Sequence, residues 1–319
     1  MNSDRYEIIV IGRLPEDAGI GGVTIHVERL CQWLDKVGIA AKVCDYKKMS
    51  LCWQIKTILK GNIAHIHASN PILRVLYVIL CRLLKRKVVL TIHGDLGRFG
   101  KIKNYLDKLS IQWCHIPIVI NDNSYNKAIR WNGNTTLQSA YLPPLEEQYL
   151  PEWVKLQITA AKLDKQIIVC TNASVRSFTP DNKEIYGIDF LISYFSDNSS
   201  YYLFISDPSS QYNQFYKNKK IANLCFITEQ HSFYELMKYS DIFIRATATD
   251  GDSLSVREGL DVGLKVIATD CVTRPSGTIL FKYNDKSSLI SALDNSVPSP
   301  LLSKHSLIEE ILKVYKNCN

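Results

Sequence analysis

The residues best suited to chemistry lie in one segment, DIFIRATATDGDSLSVREGLDVGLKVIATD, at positions 241–270. Its pattern predicts a strand, a loop, a helix and a second strand. Asp250 lies just ahead of the predicted helix, and Glu258 lies one turn inside it. Free amides at such a helix start hold a pyrophosphate well, while two carboxylates accept hydrogen bonds from sugar and ribose hydroxyls. The amides concerned are those of Ser253, Leu254 and Ser255.

The same segment permits two other interpretations. Ser255-Val-Arg-Glu258 matches a capping box, in which Glu258 bonds backbone amides rather than a substrate. Asp250-Gly-Asp252 matches the DxD motif of metal-dependent sugar transferases, although three-residue motifs often recur by chance. The sequence leaves both interpretations open.

A second candidate site is the glycine cluster GIGGVTIHVERL at 19–30, which leads into a predicted helix after the first strand. Glycines let backbone amides approach an anion, and Gly21 and Gly22 are placed to do so. Residues 13–18 separate them from the strand, so the spacing departs from the GxGxxG fingerprint of dinucleotide-binding proteins. Asp45 could imitate the ribose-binding acid of that fingerprint. Two alternative interpretations of this segment therefore remain: a dehydrogenase that binds a dinucleotide, and a glycine-rich turn that binds no ligand.

A third candidate is His93 in TIHGDLGRFG (91–100), at the predicted carboxyl end of a parallel strand. Open α/β sheets bind ligands at those ends, so His93 is predicted to face a ligand, although single histidines also serve structural roles. His65 and His67 form an HxH pair, but the sequence shows no third metal ligand beside them. We therefore expect that pair to pack in the core or in the wall of a site.

These residues must be positioned by the elements around them. Short β-branched runs alternate with helical patterns along the whole chain, a rhythm that predicts parallel sheets and two doubly wound α/β units. Three prolines and an acidic pair interrupt the rhythm at 141–153, which indicates a linker. The predicted domains are 1–150 and 151–319, with a last helix at about 303–318 that packs back towards the first domain.

Length and charge agree with two domains of different character. The 319 residues suit two domains, and residues 1–145 carry 20 Lys/Arg against 10 Asp/Glu, whereas the rest carries 18 against 21. A basic half suits an anionic partner. Basic and partly apolar segments at 47–60 and 82–87 predict peripheral contact with an anionic membrane surface, unless they form a solvated face.

The remaining composition bears on location and partners. Nine cysteines form no CxxC pair or close cluster, which argues against a zinc site or a disulfide framework and favours the cytosol. The start MNSDRYEIIVIG lacks signal-peptide features, and the longest apolar segment, Pro71 to Leu84, contains two arginines. We expect a cytoplasmic protein, peripheral at most at the inner face of the membrane. Nucleic acid is not an expected partner, because no RNA-binding motif or arginine-rich tail is present.

Taken in order, these segments resemble the group 1, or family 4, retaining glycosyltransferases of the GT-B fold. GGVTIHVERL resembles that family's GG-x-x-x-HV-x-x-L loop and helix, TIHG its strand-end His-Gly, and the stretch that begins at Asp250 its E-x7-E motif. DGDSLSVRE is similar to the variant found in enzymes that assemble bacterial surface polysaccharides of O-antigen or capsule type. YGIDFLISYF, at 186–195, is similar to the family's KG-x-x-LI-x-AF helix.

The resemblance implies two Rossmann-like domains that face each other across a cleft, with a UDP- or GDP-sugar donor on the second and a lipid-linked glycan acceptor on the first. It implies transfer with retention, without a metal or other cofactor. His93 would position the sugar, Asp250 would bind its hydroxyls and Glu258 the ribose. Tyr186 stands where the family has a lysine, so the cation for the leaving phosphate is left open. The candidates are Arg176, Arg245, Arg257 and Arg274.

Two other function classes stay open. A nucleotide-sugar epimerase on the same two-domain fold would change the donor itself instead of transferring its sugar. A noncatalytic nucleotide-sugar-binding protein would need none of His93, Asp250 and Glu258, and the presence of all three favours an enzyme.

Overall fold

The computed structural model describes residues 6–15, 22–251, 253–295 and 304–318, without the side chains of Tyr6 and of 304–307. The chain divides into two compact units. Unit 1 comprises Met1–Leu145 and Lys304–Asn319, and unit 2 comprises Glu146–Ser303. The change from one unit to the other falls inside the predicted linker.

Unit 1 is built on a parallel sheet. Its described strands are β1 (Tyr6–Gly12), β2 (Ala41–Asp45), β3 (Gly61–Ile66), β4 (Lys87–Ile92), β5 (Ile116–Val119) and β6 (Thr136–Leu137), in the order β2-β1-β3-β4-β5-β6. Its described helices are α1 (Gly22–Lys36), α2 (Leu51–Ile58), α3 (Pro71–Leu83), α4 (Lys101–Trp113), α5 (Asp122–Ala128) and α12 (Lys304–Cys318).

Alternation along β1 explains why helices cover both faces of this sheet. Ile9 and Ile11 join the core beneath α2, α3 and α4, whereas Ile8 and Val10 join the core beneath α1 and α12. Successive strand residues point to opposite faces, and both faces of a parallel sheet are buried, so the four central positions of β1, 8–11, are all apolar. The last helix of the chain therefore completes the core of unit 1.

Unit 2 repeats the plan with another strand order. Its described strands are β7 (Ile167–Asn172), β8 (Tyr201–Ser206), β9 (Leu224–Ile227), β10 (Ile242–Arg245), β11 (Lys265–Thr269) and β12 (Ile279–Phe281), in the order β12-β11-β10-β7-β8-β9. Its described helices are α6 (Glu152–Leu163), α7 (Ile188–Phe195), α8 (Gln211–Tyr216), α9 (Phe233–Tyr239), α10 (Leu254–Val262) and α11 (Lys286–Asp294).

Each sheet has one point at which the strand order reverses. In unit 1 it lies between β1 and β3, and in unit 2 it lies between β7 and β10. Crossover helices leave such a point in opposite directions and open a crevice at the carboxyl ends of the strands, where α/β proteins bind ligands. These two edges are where functional side chains are expected.

The prediction of two doubly wound α/β units is confirmed. Strands β6 and β12 went unpredicted because two or three residues are too few to show a hydrophobic period. The sequence pattern predicts helices at 188–195 and 232–239. Helix α7 has the first of these bounds, and α9 starts one residue after Ser232, which is its N-cap. Ser306 and Glu309 match a Ser-x-x-Glu capping box, which predicts the start of an amphipathic helix there, but the side chain of Ser306 lies outside the described residues.

Candidate functional site

The reversal point of unit 2 carries a direct contact between its two central strands. Asn172 is the last residue of β7 and Arg245 the last of β10. The Nη1 group of Arg245 donates to Oδ1 of Asn172 at 3.2 Å, and its guanidinium lies 5.3 Å from the centre of the Tyr186 ring. The polar residues that end these strands therefore meet at the strand-order reversal, where α/β proteins bind ligands.

Asp250 lies between two arginines at this edge. Arg245 donates to both of its carboxylate oxygens, from Nε at 3.1 Å and from Nη2 at 3.2 Å. Arg274 donates from Nη1 to Oδ2 at 2.8 Å. The three side chains are 12%, 9% and 2% exposed for Arg245, Asp250 and Arg274 respectively. We call them the Arg–Asp–Arg cluster.

Two opposing effects set the charge of Asp250. Burial raises the pKa of its carboxyl, but the charges and hydrogen bonds of Arg245 and Arg274 outweigh burial and bring the pKa below its usual value. The carboxylate is therefore ionised at neutral pH. It acts as an acceptor that the arginines already hold in place.

Arg274 makes several hydrogen bonds at this site. Besides Asp250, it donates to the carbonyl of Thr269 at 3.0 Å and to the hydroxyls of Thr247 and Thr269 at 3.3 Å each. Because the guanidinium of Arg274 is buried and makes all these hydrogen bonds, it holds Asp250 in position. The predicted contact between Arg274 and a phosphate stays a prediction, and Arg245 is the more exposed of the two.

Helix α10 begins beside the cluster. Ser253 is its N-cap, and within the described residues the Ser253 side chain makes no capping hydrogen bond. Ser255 donates to Oδ1 of Asn172 at 3.4 Å, which ties the helix start to β7. The first amides of α10, including that of Leu254, therefore point to a strand edge rich in polar groups.

The predicted alternative of a Ser255–Glu258 capping box is wrong. A box requires its serine at the N-cap, but α10 already begins at Leu254, with Ser253 as the cap. Glu258 is the fifth residue of the helix and is buried. Its position one turn inside the helix agrees with the predicted position.

Helix α7 offers a useful contrast at its own start. Oε1 and Oε2 of Glu184 accept the amides of Ile188 and Asp189 at 2.9 Å each. Glu184 thus supplies the anion that this helix start attracts. Gly187, with φ +65°, packs so closely that a Cβ would lie 2.1 Å from the carbonyl of Ala246, just after β10. The start of α7 is therefore capped by a carboxylate of the protein, whereas at the start of α10 the described side chain of Ser253 makes no such bond.

Arg176 belongs to a different network from the Arg–Asp–Arg cluster. Its Nη2 group pairs with Asp189 at 2.7 Å, and its guanidinium lies 4.0 Å from the ring centre of Phe215 and 4.9 Å from that of Phe178. Arg257 lies in α10, two residues after Ser255, and is partly buried. Among the four predicted cations, the structure joins Arg245 and Arg274 to Asp250.

The reversal point of unit 1 carries imidazoles instead. His67 directly follows β3 and extends its pairing with β1, since its amide donates to the carbonyl of Ile11 at 2.8 Å. His93 directly follows β4, and Nδ1 of His67 lies 2.9 Å from Nε2 of His93. The ring of His26, from α1, lies 4.9 Å from that of His67 and 5.0 Å from that of His93. We call these three residues the histidine cluster.

Hydrogen bonds fix part of this cluster. Nδ1 of His26 bonds the carbonyl of Ala140 and must donate to it, which leaves Nε2 of His26 as an acceptor. Among the described atoms, Nε2 of His67 has no partner. A buried N–H without an acceptor is rarer than a bare acceptor, so we place the proton of His67 on Nδ1, donating to His93. His93 then carries its own proton on Nδ1.

The cluster is neutral. Burial lowers the pKa of His26 to about 4, with a smaller contribution from Arg29, and Ala140 partly opposes it. Burial and neighbouring imidazoles lower the pKa values of His67 and His93 well below the usual value. Burial and nearby positive charge both disfavour a protonated imidazole, so the rings at this edge are uncharged.

A metal ion is one ligand that three neutral imidazoles suggest. One nitrogen from each lies within 4.8 Å of the others, so the HxH motif does gain neighbours that the sequence did not reveal. Two nitrogens on one tetrahedral zinc lie roughly 3.4 Å apart, given bonds of about 2.1 Å. The 2.9 Å separation of His67 and His93 instead fits a shared proton. His65 packs in the core, bonded to Tyr315 and Thr91 at 2.7 and 2.8 Å, as expected.

The remaining predicted site residues are less informative. Gly21 and Asp252 lie outside the described residues, and Gly22 is the exposed first residue of α1. Asp45, considered above as a ribose-binding acid, accepts the amides of Lys47 and Lys48 at 2.8 and 3.3 Å and so closes the turn after β2.

Sequence reasoning missed several residues that build these sites. These residues lie at or just beyond the end of a strand, or on the first helix. The sequence feature that could have identified them is a single polar residue within or next to an apolar run. The missed residues are Asn172, Thr247, Thr269 and His26.

No protein-family model matches the sequence, and a search of curated proteins found no match either. Solved structures match the fold. HepE from Anabaena, in complex with UDP and glucose, has 12% identity and a TM-score of 0.65 over 98% of this chain and 93% of that chain. Sucrose-phosphate synthase from Thermosynechococcus elongatus has 13% identity and a TM-score of 0.66 over 98% of each chain.

A UDP-GlcNAc 2-epimerase from Methanocaldococcus jannaschii has 12% identity and a TM-score of 0.57 over 97% of this chain and 99% of that chain. At such low identity these likenesses concern the fold. They confirm the predicted fold class, a two-domain α/β fold of the GT-B type.

Proposed function

We propose that this chain is a glycosyltransferase that takes a sugar from a nucleotide-sugar donor. The observation that carries the proposal is the start of α10. Its first amides lie at the strand-order reversal of unit 2, beside Arg245 and the ionised Asp250, and Ser253 makes no capping bond there among the described residues. A diphosphate needs helix amides and a cation, and a sugar needs acceptors for its hydroxyls.

Each group has a task in this proposal. The amides of Ser253, Leu254 and Ser255 hold the pyrophosphate and stabilise the charge that develops on it as the sugar leaves. Arg245 is the more exposed arginine of the Arg–Asp–Arg cluster and is the cation that we assign to the pyrophosphate. Asp250, held by its two arginines, receives sugar hydroxyls, and Glu258 receives those of the ribose.

The histidine cluster supplies the second part. With its proton on Nδ1, His93 is a neutral donor for an oxygen of the sugar, and it is the partly exposed member of the cluster. His67 fixes that tautomer through the 2.9 Å hydrogen bond. The amides of Gly21 and Gly22 stay part of the proposal as anion-binding groups.

Finer features of the proposal rest on the sequence resemblance. They are a UDP- or GDP-sugar donor, retention at the anomeric carbon without a metal, and a lipid-linked glycan acceptor in bacterial polysaccharide synthesis of O-antigen or capsule type. The donor class gains support from HepE, whose structure contains UDP and glucose. Arg176 and Arg274 stay alternative phosphate contacts.

A nucleotide-sugar epimerase is the second candidate, because one solved structure with this fold is a UDP-GlcNAc 2-epimerase. The two functions differ in their products. A transferase gives a lengthened glycan and a nucleoside diphosphate, whereas an epimerase converts the nucleotide-sugar without any acceptor. Incubation with the donor alone, followed by analysis of the recovered nucleotide-sugar, separates them.

Thermal shift with UDP-, GDP- and dTDP-sugars tests the proposal first. A donor at a hundred times its Kd stabilises the native state by about 2.7 kcal/mol, which is a rise of several degrees in the melting temperature of the unit that binds it. Glu258→Gln should reduce the rise, whereas Glu309→Gln, on the exposed face of α12, should not. If no nucleotide-sugar raises the melting temperature of the wild type, the proposal is wrong.

A further inference from the structure

Helices α2, α3 and α4 lie side by side over one face of the unit 1 sheet. The hydroxyl of Tyr77 in α3 donates to Oε1 of Gln54 in α2 at 2.6 Å. Arg74 of α3 forms a buried 2.6 Å salt bridge with Asp107 of α4. These links hold the helices together, so the sides that point away from the sheet form one surface. We call it the α2–α4 surface.

Each of these helices exposes apolar side chains on that surface. From α3 come Ile72, Leu76 and Leu83, whose spacing of four and seven residues places them on one helical face. The N-terminal half of α4 and its last residue add Ile102, Tyr105 and Trp113. A helix that covers a soluble protein normally turns polar residues outward.

Helix α2 also exposes apolar side chains. Leu51, Trp53 and Leu59, the last at its C-cap, are exposed as well. Across the three helices, the nine side chains named are between 44% and 78% exposed. Apolar residues scattered singly need no explanation, but such a concentration on adjacent helices marks an interaction surface.

The charge of this region is strongly one-sided. Residues 46–113 contain 13 Lys/Arg, two Asp and no Glu. One of the two acids is Asp107, which is buried and paired with Arg74. Exposed lysines lie among the apolar side chains, including Lys56, Lys101 and Lys103. Lys56 also lies 5.1 Å from the centre of the Trp53 ring. The partner must therefore be both anionic and apolar.

An anionic bilayer meets both requirements. Its headgroups attract lysines, while leucine, isoleucine, tryptophan and tyrosine enter the boundary between headgroups and acyl chains. A nucleic acid would leave the exposed leucines in water. A second copy would bring two basic surfaces together, and the cores of protein interfaces are depleted in lysine.

We propose that the α2–α4 surface of unit 1 binds the face of a bilayer that contains anionic phospholipid. The surface includes α4 and the outward stripe of α3, in addition to the basic segments at 47–60 and 82–87. Among the described residues no helix has the length and apolar character needed to cross a membrane. The proposal does not depend on the glycosyltransferase proposal, because it concerns different side chains and a different ligand.

Vesicle co-sedimentation of the full chain tests it, with phosphatidylcholine vesicles that either contain or lack phosphatidylglycerol. We expect binding to the anionic vesicles that weakens with salt. Leu83→Gln/Ile102→Gln should weaken binding by about tenfold or more, because burial of one such side chain contributes about 1.5 kcal/mol or more. The matched control is Leu156→Gln/Leu163→Gln on α6 of unit 2, where the leucines are 64% and 78% exposed.

Charge is tested separately from apolar contact. Lys101→Glu/Lys103→Glu should weaken binding by at least about 25-fold at low salt, since each lysine near an anionic surface contributes about fivefold and each glutamate adds repulsion. Lys162→Glu/Lys217→Glu, at exposed positions of unit 2, is the control and should bind as the wild type does. Emission of Trp53 and Trp113 should be quenched by brominated lipid, and Trp53→Phe/Trp113→Phe should remove that quenching.

Four results would overturn the proposal. They are the absence of wild-type binding at low salt, equal binding to neutral vesicles, equal loss in the unit 2 controls, and unquenched tryptophans. Binding of RNA that depends on Lys101 and Lys103 but not on Leu83 and Ile102 would assign the surface to nucleic acid instead. Self-association that Leu83→Gln/Ile102→Gln abolishes would assign it to a second copy. Circular dichroism melts of all variants exclude unfolding as the cause.

Discussion

In unit 1, β3 at the strand-order reversal and its neighbour β4 lead into His67 and His93, which are neutral. In unit 2, the two strands at the reversal, β7 and β10, lead into Asn172 and a cluster of buried charges. The two units share a parallel α/β plan, so the architecture does not dictate this difference. We attribute the difference to local charge. Unit 1 is basic, and the pKa of His93 is lowered by burial and His26 and further by Arg74 and Arg98. In unit 2, the carboxylate of Asp250 lies between two arginines. These opposite charges stabilise one another, whereas an unpaired charge at a buried position would be costly.

The two edges can therefore supply different chemistry. A neutral imidazole donates one hydrogen bond and accepts another while it carries no net charge, which suits the positioning of a hydroxyl. Helix amides and guanidinium groups hold a phosphate and stabilise developing negative charge. If one substrate uses both edges, damage to either should stop the reaction.

Loss of activity is the largest expected effect and tests that last point. His93→Ala in unit 1 and Glu258→Ala in unit 2 should each lower sugar transfer by at least about 100-fold, as removal of a single transition-state contact does in other enzymes. The measurement is kcat/KM for release of nucleoside diphosphate. The controls are His115→Ala, outside the histidine cluster, and Glu309→Ala, at an exposed position.

The two substitutions also separate the hypotheses. Normal rates for both would defeat the assignment of the site. A loss confined to Glu258→Ala, with His93→Ala unaffected, would mean that the edge of unit 2 acts without the histidine cluster.

Stability gives the next effect, and it is specific to unit 2. Asp250→Asn leaves two buried guanidinium groups without their carboxylate, so it should cost about 3 kcal/mol. Hydrogen exchange read by mass spectrometry on peptides of each unit measures it, because a two-unit chain need not unfold in one step. Asp270→Asn, at an exposed position, is the control. Unchanged protection in unit 2 would show that the cluster does not stabilise it.

Acidification should distinguish the units in the opposite sense. The pKa of His26 is about 4 when folded and about 6.5 when unfolded, so below pH 6.5 the unfolded chain takes up a proton that the folded chain refuses. From pH 7 to pH 5, unit 1 should therefore lose about 2 kcal/mol through His26 alone, and the lowered pKa values of His65, His67 and His93 act in the same direction.

Asp250 has the opposite linkage. Its pKa is lowered on folding, so its stabilising contribution persists above the unfolded value of about 3.9 and is lost as the pH falls further. Exchange measured at pH 7 and pH 5, corrected for intrinsic rates, should show greater loss of protection in unit 1 than in unit 2. Parallel losses in both units would contradict the neutral histidine cluster.

The smallest effect concerns the helix start in unit 2. Ser232 caps α9 by accepting the amide of Glu235 at 3.2 Å, so Ser232→Ala should cost about 1 kcal/mol. Ser253→Ala at the start of α10 should cost a few tenths of a kcal/mol, because no such bond forms there among the described residues. Urea unfolding monitored on unit 2 compares the two. Equal costs would mean that Ser253 caps α10 in solution, which would weaken the case for a ligand at its amides.

Much of the fold could be predicted because strands such as β1 and β4 contain short apolar runs, at 8–11 and 88–90, and helices such as α1 and α7 repeat apolar residues every three or four positions. Position along the chain also placed Asp250 and Glu258 around a helix start. The partners of Asp250 could not be predicted in this way. Arg274 reaches it from beyond β11, and its distance depends on which strands pair.

The sequence by itself determined two α/β units, the unequal charge of the halves, and a helix start preceded by Asp250. These follow from local rules, since period, turn residues and charge counts act between near neighbours. The tertiary structure alone decided that His26, His67 and His93 meet, that Glu184 occupies the start of α7 while α10 remains uncapped by Ser253, and that three basic helices share one outward surface. Strand order and helix packing set those distances, and both depend on contacts between residues far apart in the chain.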